Sequence, residues 1–366
     1  MEKERLLSLD AFRGFTIASM ILVNFPGNWD NVFFPLLHSE WNGLTFTDLI
    51  APFFLFIVGV SIALAYTKLS ASGLKSNDMH KKLFVRSLKI FGVGMFLNIL
   101  GIIGNFSWEE IRWTGTLHRI AIVFLVCGLL FLHTGWKVQS VTGAALLILY
   151  WLAMTLIPTP GYDKVMLEPG INLAAWIDQQ LLPGKMWQTT WDPEGILSTF
   201  PSIVTGITGM LAGKLLLNKQ SREHKVMSLF TIGLITTTAG IIWSWVFPLN
   251  ENLWTSSFVL VTSGLASMIL AGSIYLIDIL QYRKAADFGI IYGSNAIAIY
   301  VLADVLAIIF YGLPIGGSGL NDHFFLLFTG AGVNPKIVSM AYGLIYVGIN
   351  LIPAYLLYKR KIFIKL

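Results

Sequence analysis

Ten apolar runs fill most of the chain, at 9–26, 47–67, 83–104, 117–133, 138–157, 195–217, 226–246, 256–280, 288–311 and 337–357. A helix needs about 20 such residues to cross the hydrocarbon core of a bilayer. Backbone groups in lipid must find their hydrogen bonds within the chain, which restricts spans of this kind to helices. With 55% hydrophobic and only 12% charged residues, the 366-residue sequence has too little polar surface for a water-soluble domain. The expected fold class is therefore an all-α polytopic membrane protein of about ten transmembrane helices. Ten spans divide as five plus five, which would give two five-helix bundles, although no sequence repeat relates the halves. The single cysteine, Cys127, cannot form an internal disulfide, and the 34 glycines suit close helix contacts. Asp10 and Arg13 lie in the first run and no small-residue cleavage site follows. It reads as a retained span, not a removed signal.

Lysine and arginine set the orientation. If both termini are cytoplasmic, 20 of the 25 basic residues fall on the cytoplasmic side. They run from Lys3 and Arg5 through Lys82, Arg86, Arg283 and Lys284 to Lys365. The other side keeps Arg112, Arg119, Lys164, Lys185 and Lys336. A bias of this size over short loops orients the chain. The net charge of +5 is thus a topology signal scattered between spans, not a nucleic-acid footprint. The loops 27–46 and 158–194 fall outside, and the second is long enough to fold over the external mouth. The expected organisation is one transmembrane domain, 1–366, with that loop as its cover.

Polar residues in the runs need a reason, because a charge at the bilayer centre costs about 2.5–3.5 kcal/mol or more. Asp10 and Arg13 share a helical face and suit either an ion pair or contact with an anionic ligand. Asn24 closes the first run, as a cap or a site residue. Asp48 sits in a first turn, where the helix dipole favours an acid. Arg112, His118 and Arg119 cluster in IRWTGTLHRI, and such residues often reach for the interface. Asn295 lies in YGSNAIAIY, where an interhelical hydrogen bond is the plain account, and Asp304 follows in the same run. His38 stands in HSEWNG beside a span, and its neutral form can accept a proton near pH 7. The histidines show no metal-ligand spacing, and neither a phosphate-binding loop nor a dinucleotide fingerprint is present, so no metal is expected.

LDAFRG, HSEWNGLTFTDLIAPFFLFIVGVSI, RWTGTLHRI, DPEGILSTFPSIVTGITGMLAG, NLWTSSFV and GSNAIAIYV occur in that order. Together they resemble the heparan-alpha-glucosaminide N-acetyltransferase family, within a wider group of transmembrane acyltransferases. The likeness runs from about residue 5 to the last span. It implies acetyl-CoA as donor from the cytoplasmic side and the amine of a glucosamine-type sugar as acceptor on the far side. It also implies His38, in H-x-x-W-N-G, as the catalytic residue and Asn24 as its companion at the active site. The resemblance suggests a homodimer as well. No luminal domain precedes the first span, so the chain looks like a shorter prokaryotic relative, multi-pass in a bacterial inner membrane, whose acceptor need not be heparan.

On that reading His38 acts as general base or as carrier of an acetyl group, and Asn24 stabilises the oxyanion. Asp48, Asp192 or Glu194 would orient the histidine or bind sugar hydroxyls. Asn42, Arg112 and Asn295 are further polar candidates for the acceptor, and Trp41, Trp113 and Trp254 are candidates to stack on it. Arg13, Lys82, Arg86, Arg283 and Lys284 are candidates for the anionic end of CoA. The readings from other classes are a small-solute transporter, with Asp304, Asn295 and Asp48 along its path, and an acyltransferase relative without activity.

Overall fold

The computed structural model describes residues 6–364 except 103, 105 and 315. Lys3, Arg5 and Lys365 lie outside the described residues. Helix dominates; two isolated β-bridges, Arg112–Gly184 and Gln188–Trp191, occur in loops. Among the described residues, eight helices are long and apolar enough to cross a membrane, or nine if one bent pair counts as a span. The first run does form a helix, α1 (Leu7–Asn24), but with Asp10, Arg13 and Asn24 inside its 18 residues it is not among them. The run at 288–311 is not one straight helix. It breaks at Asn295, with an 81° bend between its two parts.

The described residues form two compact units. The larger contains 40–44 and 51–271. Its helices are α2 (Ile50–Ala71), α3 (Ser76–Leu100), α4 (Thr116–His133), α5 (Trp136–Leu156), the short α6 (Leu173–Leu181), α7 (Ile196–Leu216), α8 (Arg222–Trp243) and α9 (Ser256–Ser273). α7 is central and packs against α4, α5, α6 and α8. Its glycines let α2 approach closely: a Cβ on Gly59 would strike the Gly206 carbonyl, and one on Gly209 the Phe56 carbonyl. Apolar side chains such as Leu88, Val141, Leu149 and Ile235 point outward, as expected where lipid is the solvent. Cys127 is a free, buried thiol against α7.

The smaller unit takes in the described parts of 1–39, 45–50 and 272–366. It holds α1, α10 (Asp287–Ser294), α11 (Ala296–Ala307), α12 (Leu320–Gly330) and α13 (Pro335–Lys359). α11 runs into a wider π-turn at Ile308–Gly312. The division is thus unequal and does not fall as two successive five-helix bundles. The physical reason is the partner α1 takes. It packs on α10, near the other end of the sequence, through Gly14, Gly289 and Gly293, where added Cβ atoms would collide with backbone.

Candidate functional site

The chain leaving α1 at Asn24 is fastened within the smaller unit. Tyr311 donates to the Pro26 carbonyl at 3.0 Å, and Gly27 N–H donates to the Ser339 carbonyl at 3.1 Å. Ser339 Oγ accepts from Asn28 N–H at 3.0 Å and donates to the Asn28 carbonyl at 2.9 Å. From this anchor the loop runs through a 3-10 turn at Phe34–Leu36 to His38. A second such turn at Thr47–Leu49 leads into α2 and carries Asp48.

Asp48 is fully buried, and its carboxylate organises the loop. It accepts from the Thr45 N–H at 2.8 Å and from the Ser39 N–H at 3.2 and 3.3 Å. Its Oδ1 lies 2.9 Å from His38 Nδ1. Thr45 Oγ1 closes the turn on the Leu37 carbonyl at 2.7 Å. An ionised carboxylate can only accept, so the proton in the His38–Asp48 bond belongs to Nδ1, by inference from the hydrogen-bond network. In the neutral ring the lone pair is then on Nε2. The His38 side chain is 58% exposed, so a buried acid orients an accessible base. Asn24 is half-buried at the last position of α1.

The intervening residues 40–44 belong to the larger unit. Trp41 donates from Nε1 to the Leu167 carbonyl at 2.9 Å and meets Trp191 edge to face at 5.1 Å. Asn42 accepts from the Asn250 side chain at 3.2 Å, and Gly43, at φ 144°, donates to the Leu249 carbonyl at 2.8 Å. That φ is outside the usual range of residues with a Cβ.

Arg112 is the second focus of the larger unit. Its guanidinium holds Asp192 through two bonds at 2.8 and 2.6 Å and Glu194 through one at 2.5 Å, and it lies 5.1 Å over the Trp187 ring. Asp192 also accepts from Thr114 Oγ1 at 2.7 Å and from the Trp187 and Glu194 amides. Burial opposes ionisation of both partners. The acids hold Arg112 above its ordinary value, and Arg112 holds Asp192 below the ordinary carboxylate value of 3.8. Asp192 and Glu194 are therefore committed to Arg112, which ties 187–194 to the start of α4. Trp113 is exposed beside them and Gly184 packs on the Ile111 carbonyl.

Two candidates turn out to be occupied elsewhere. Trp254 is buried, lies 4.8 Å from the Arg119 guanidinium and donates to Thr205 Oγ1 at 3.1 Å, which removes its faces from the surface. Asn295 grips the chain's last described turn, donating to the Ile362 carbonyl at 3.0 Å and accepting from the Ile364 amide at 2.8 Å. The basic candidates divide. Arg13 pairs with Asp10 at 3.1 Å and lies in the smaller unit with the exposed Arg283 and Lys284. Lys82 and Arg86 lie on α3 of the larger unit, with Arg86 over the Phe124 ring at 4.9 Å. Sequence reasoning did not find Asp178, Thr114 or Asn250. Their roles come from partners far along the chain, and no local pattern announces them.

The sequence profile of "Heparan-alpha-glucosaminide N-acetyltransferase, catalytic" matches residues 5–244, a stretch that includes α1, the His38–Asp48 loop and the Arg112 network. The chain belongs to that family. It is 28% identical over 420 aligned positions to the human protein named heparan-alpha-glucosaminide N-acetyltransferase, and 27% identical over 421 to the mouse one. Each alignment covers 99% of this chain, which spans 60% of the length of these relatives. A membrane acetyltransferase family and a set of long apolar helices are thus found together.

Proposed function

We propose that this chain transfers an acetyl group from acetyl-CoA, used from the cytoplasmic side, to the amine of a glucosamine-type sugar on the outer side. The observation that carries the reading is the 2.9 Å contact between the buried Asp48 and His38 Nδ1. It fixes the tautomer that a base at Nε2 requires and stabilises the imidazolium formed when that base takes a proton. In the direct route the amine nitrogen bonds to the acetyl carbon, the carbon–sulfur bond breaks, and the nitrogen's proton passes through Nε2 to the departing thiolate. Asn24, which the family resemblance makes the companion of His38, is the residue we assign to the developing oxyanion. In the covalent variant Nε2 itself carries the acetyl group before the amine attacks. Of the basic candidates for the CoA phosphates, Arg13, Arg283 and Lys284 lie in the same unit as His38.

The test is transfer from labelled acetyl-CoA to glucosamine in reconstituted membranes. Wild type should form product, and His38→Ala, with its unfolding temperature unchanged, should lose at least about 10²-fold. Equal turnover by both proteins would remove His38 from the chemistry. Label exchange into free CoA without acceptor selects the covalent route.

A further inference from the structure

In the larger unit α3 and α4 pack with a fixed register. Ser87 Oγ donates to the Ala121 carbonyl at 2.9 Å, and Leu83 occupies the space that a Cβ on Gly128 would need. Residues early in α3 therefore meet residues late in α4. The next pair along this seam is His80 and His133. Their Nε2 atoms are 2.8 Å apart and their ring centroids 4.9 Å. His80 is half-buried and His133 is exposed. Two rigid helices thus hold two imidazoles head to head.

The tautomer of His80 follows from its other nitrogen. Nδ1 lies 2.7 Å from the Ser76 carbonyl, which can only accept, so the hydrogen-bond network puts the proton on Nδ1. The Nε2 lone pair then faces His133. This is the arrangement of a metal-binding imidazole, whose second nitrogen donates to a carbonyl or carboxylate that orients the ring. His133 is the last residue of α4, yet that helix end is closed without it. Gln139 Nε2 donates to the Leu130 and Thr134 carbonyls at 3.4 and 3.0 Å. We propose that His80 and His133 form a bidentate site for a divalent transition-metal ion, which clamps the start of α3 to the end of α4. Bonds of about 2.0 Å to nitrogens 2.8 Å apart subtend about 90° at the metal. That is a cis pair at a tetragonal or octahedral centre, whereas a tetrahedral ion would hold the nitrogens about 3.3 Å apart. The site therefore fits Ni²⁺ or Cu²⁺, with water in the remaining positions on the open side of His133. Two metal–nitrogen bonds form, and the proton that His133 shares with His80 moves from its Nε2 to its Nδ1. The ligands lie 53 positions apart, so no metal-ligand spacing marks them in the sequence.

The experiment titrates Ni²⁺ into the untagged full chain in detergent and follows thermal unfolding by tryptophan fluorescence. An ion that binds only the folded state raises the unfolding temperature with its concentration. Wild type should show that rise. His80→Ala and His133→Ala should each move its midpoint to at least about tenfold higher Ni²⁺, because one ring alone cannot chelate. His224→Ala, at an exposed histidine on α8, should respond as wild type does. The metal-free unfolding temperatures show whether the variants fold. Paramagnetic resonance of Cu²⁺ on wild type supplies a reading that needs no variant: two equatorial nitrogens are expected. No thermal response in wild type overturns the proposal. So does a response that either His80→Ala or His133→Ala retains in full, or a copper spectrum with fewer than two nitrogens.

Discussion

Asp178 gives a pH dependence that can be worked from its surroundings. It lies on α6 with its carboxyl sealed from solvent, and Oδ1 accepts from the Ile196 N–H at the start of α7 at 2.8 Å. Burial pushes the group up to about 7 from its ordinary 3.8; the Ile196 amide and Arg119 lower it, and Asp192 raises it further. Between these values the native protein keeps a proton that the unfolded chain has released. Stability therefore falls as pH rises from about 4 to about 7 and levels off above. About three pH units correspond to about 4 kcal/mol. Asp178→Asn retains the acceptor for Ile196 without the charge. It should stabilise by up to about 4 kcal/mol at pH 8.5 and by only about 1–2 kcal/mol at pH 5. Thermal unfolding in detergent, followed by tryptophan fluorescence, reads the difference. A variant that unfolds no later than wild type at pH 8.5, or whose gain is equal at both values, would refute the argument.

Other perturbations address the rest of the site. Arg112→Gln leaves the buried Asp192 without its partner and should cost about 3–5 kcal/mol, seen as early proteolysis within 158–194. Asp48→Asn should lower acetyl transfer on the order of 10²–10⁴-fold, because the amide supports the wrong His38 tautomer, while acetyl-CoA binding by calorimetry stays unchanged. Gly59→Ala drives a Cβ into the Gly206 carbonyl and within 2.8 Å of the Met210 nitrogen. It should destabilise the α2–α7 crossing by about 1–3 kcal/mol, read as a lower unfolding temperature.

The helices were legible because hydropathy in lipid is a strong, local signal. The break at Asn295 had its marker, an asparagine within an apolar run, yet the tail backbone that this side chain holds lies 67 and 69 positions away. The His38–Asp48 contact was partly legible, since the two lie 10 positions apart and the acid stood in a first turn. The commitment of Asp192 and Glu194 to Arg112 was not, because 80 and 82 positions separate the partners. Trp254 looked like an interfacial ring; its positive φ of 52° and its contact with Arg119 turn it inward, and neither leaves a local trace. Grouping α1 with α10 was equally hidden, because glycine marks close packing without naming the partner.

The grip of Asn295 on Ile362 and Ile364 has a practical side. Those two backbone groups make the close hydrogen bonds of a buried amide at the 81° break between α10 and α11. Deleting the tail from Ile362 onward would leave that amide oxygen unpaired and its nitrogen with only the 3.4 Å contact to Ser294 Oγ, at about 1–3 kcal/mol for an unpaired buried group. Cutting the chain back to its last span, a routine step in preparing membrane proteins, would here loosen a bend 67 positions upstream.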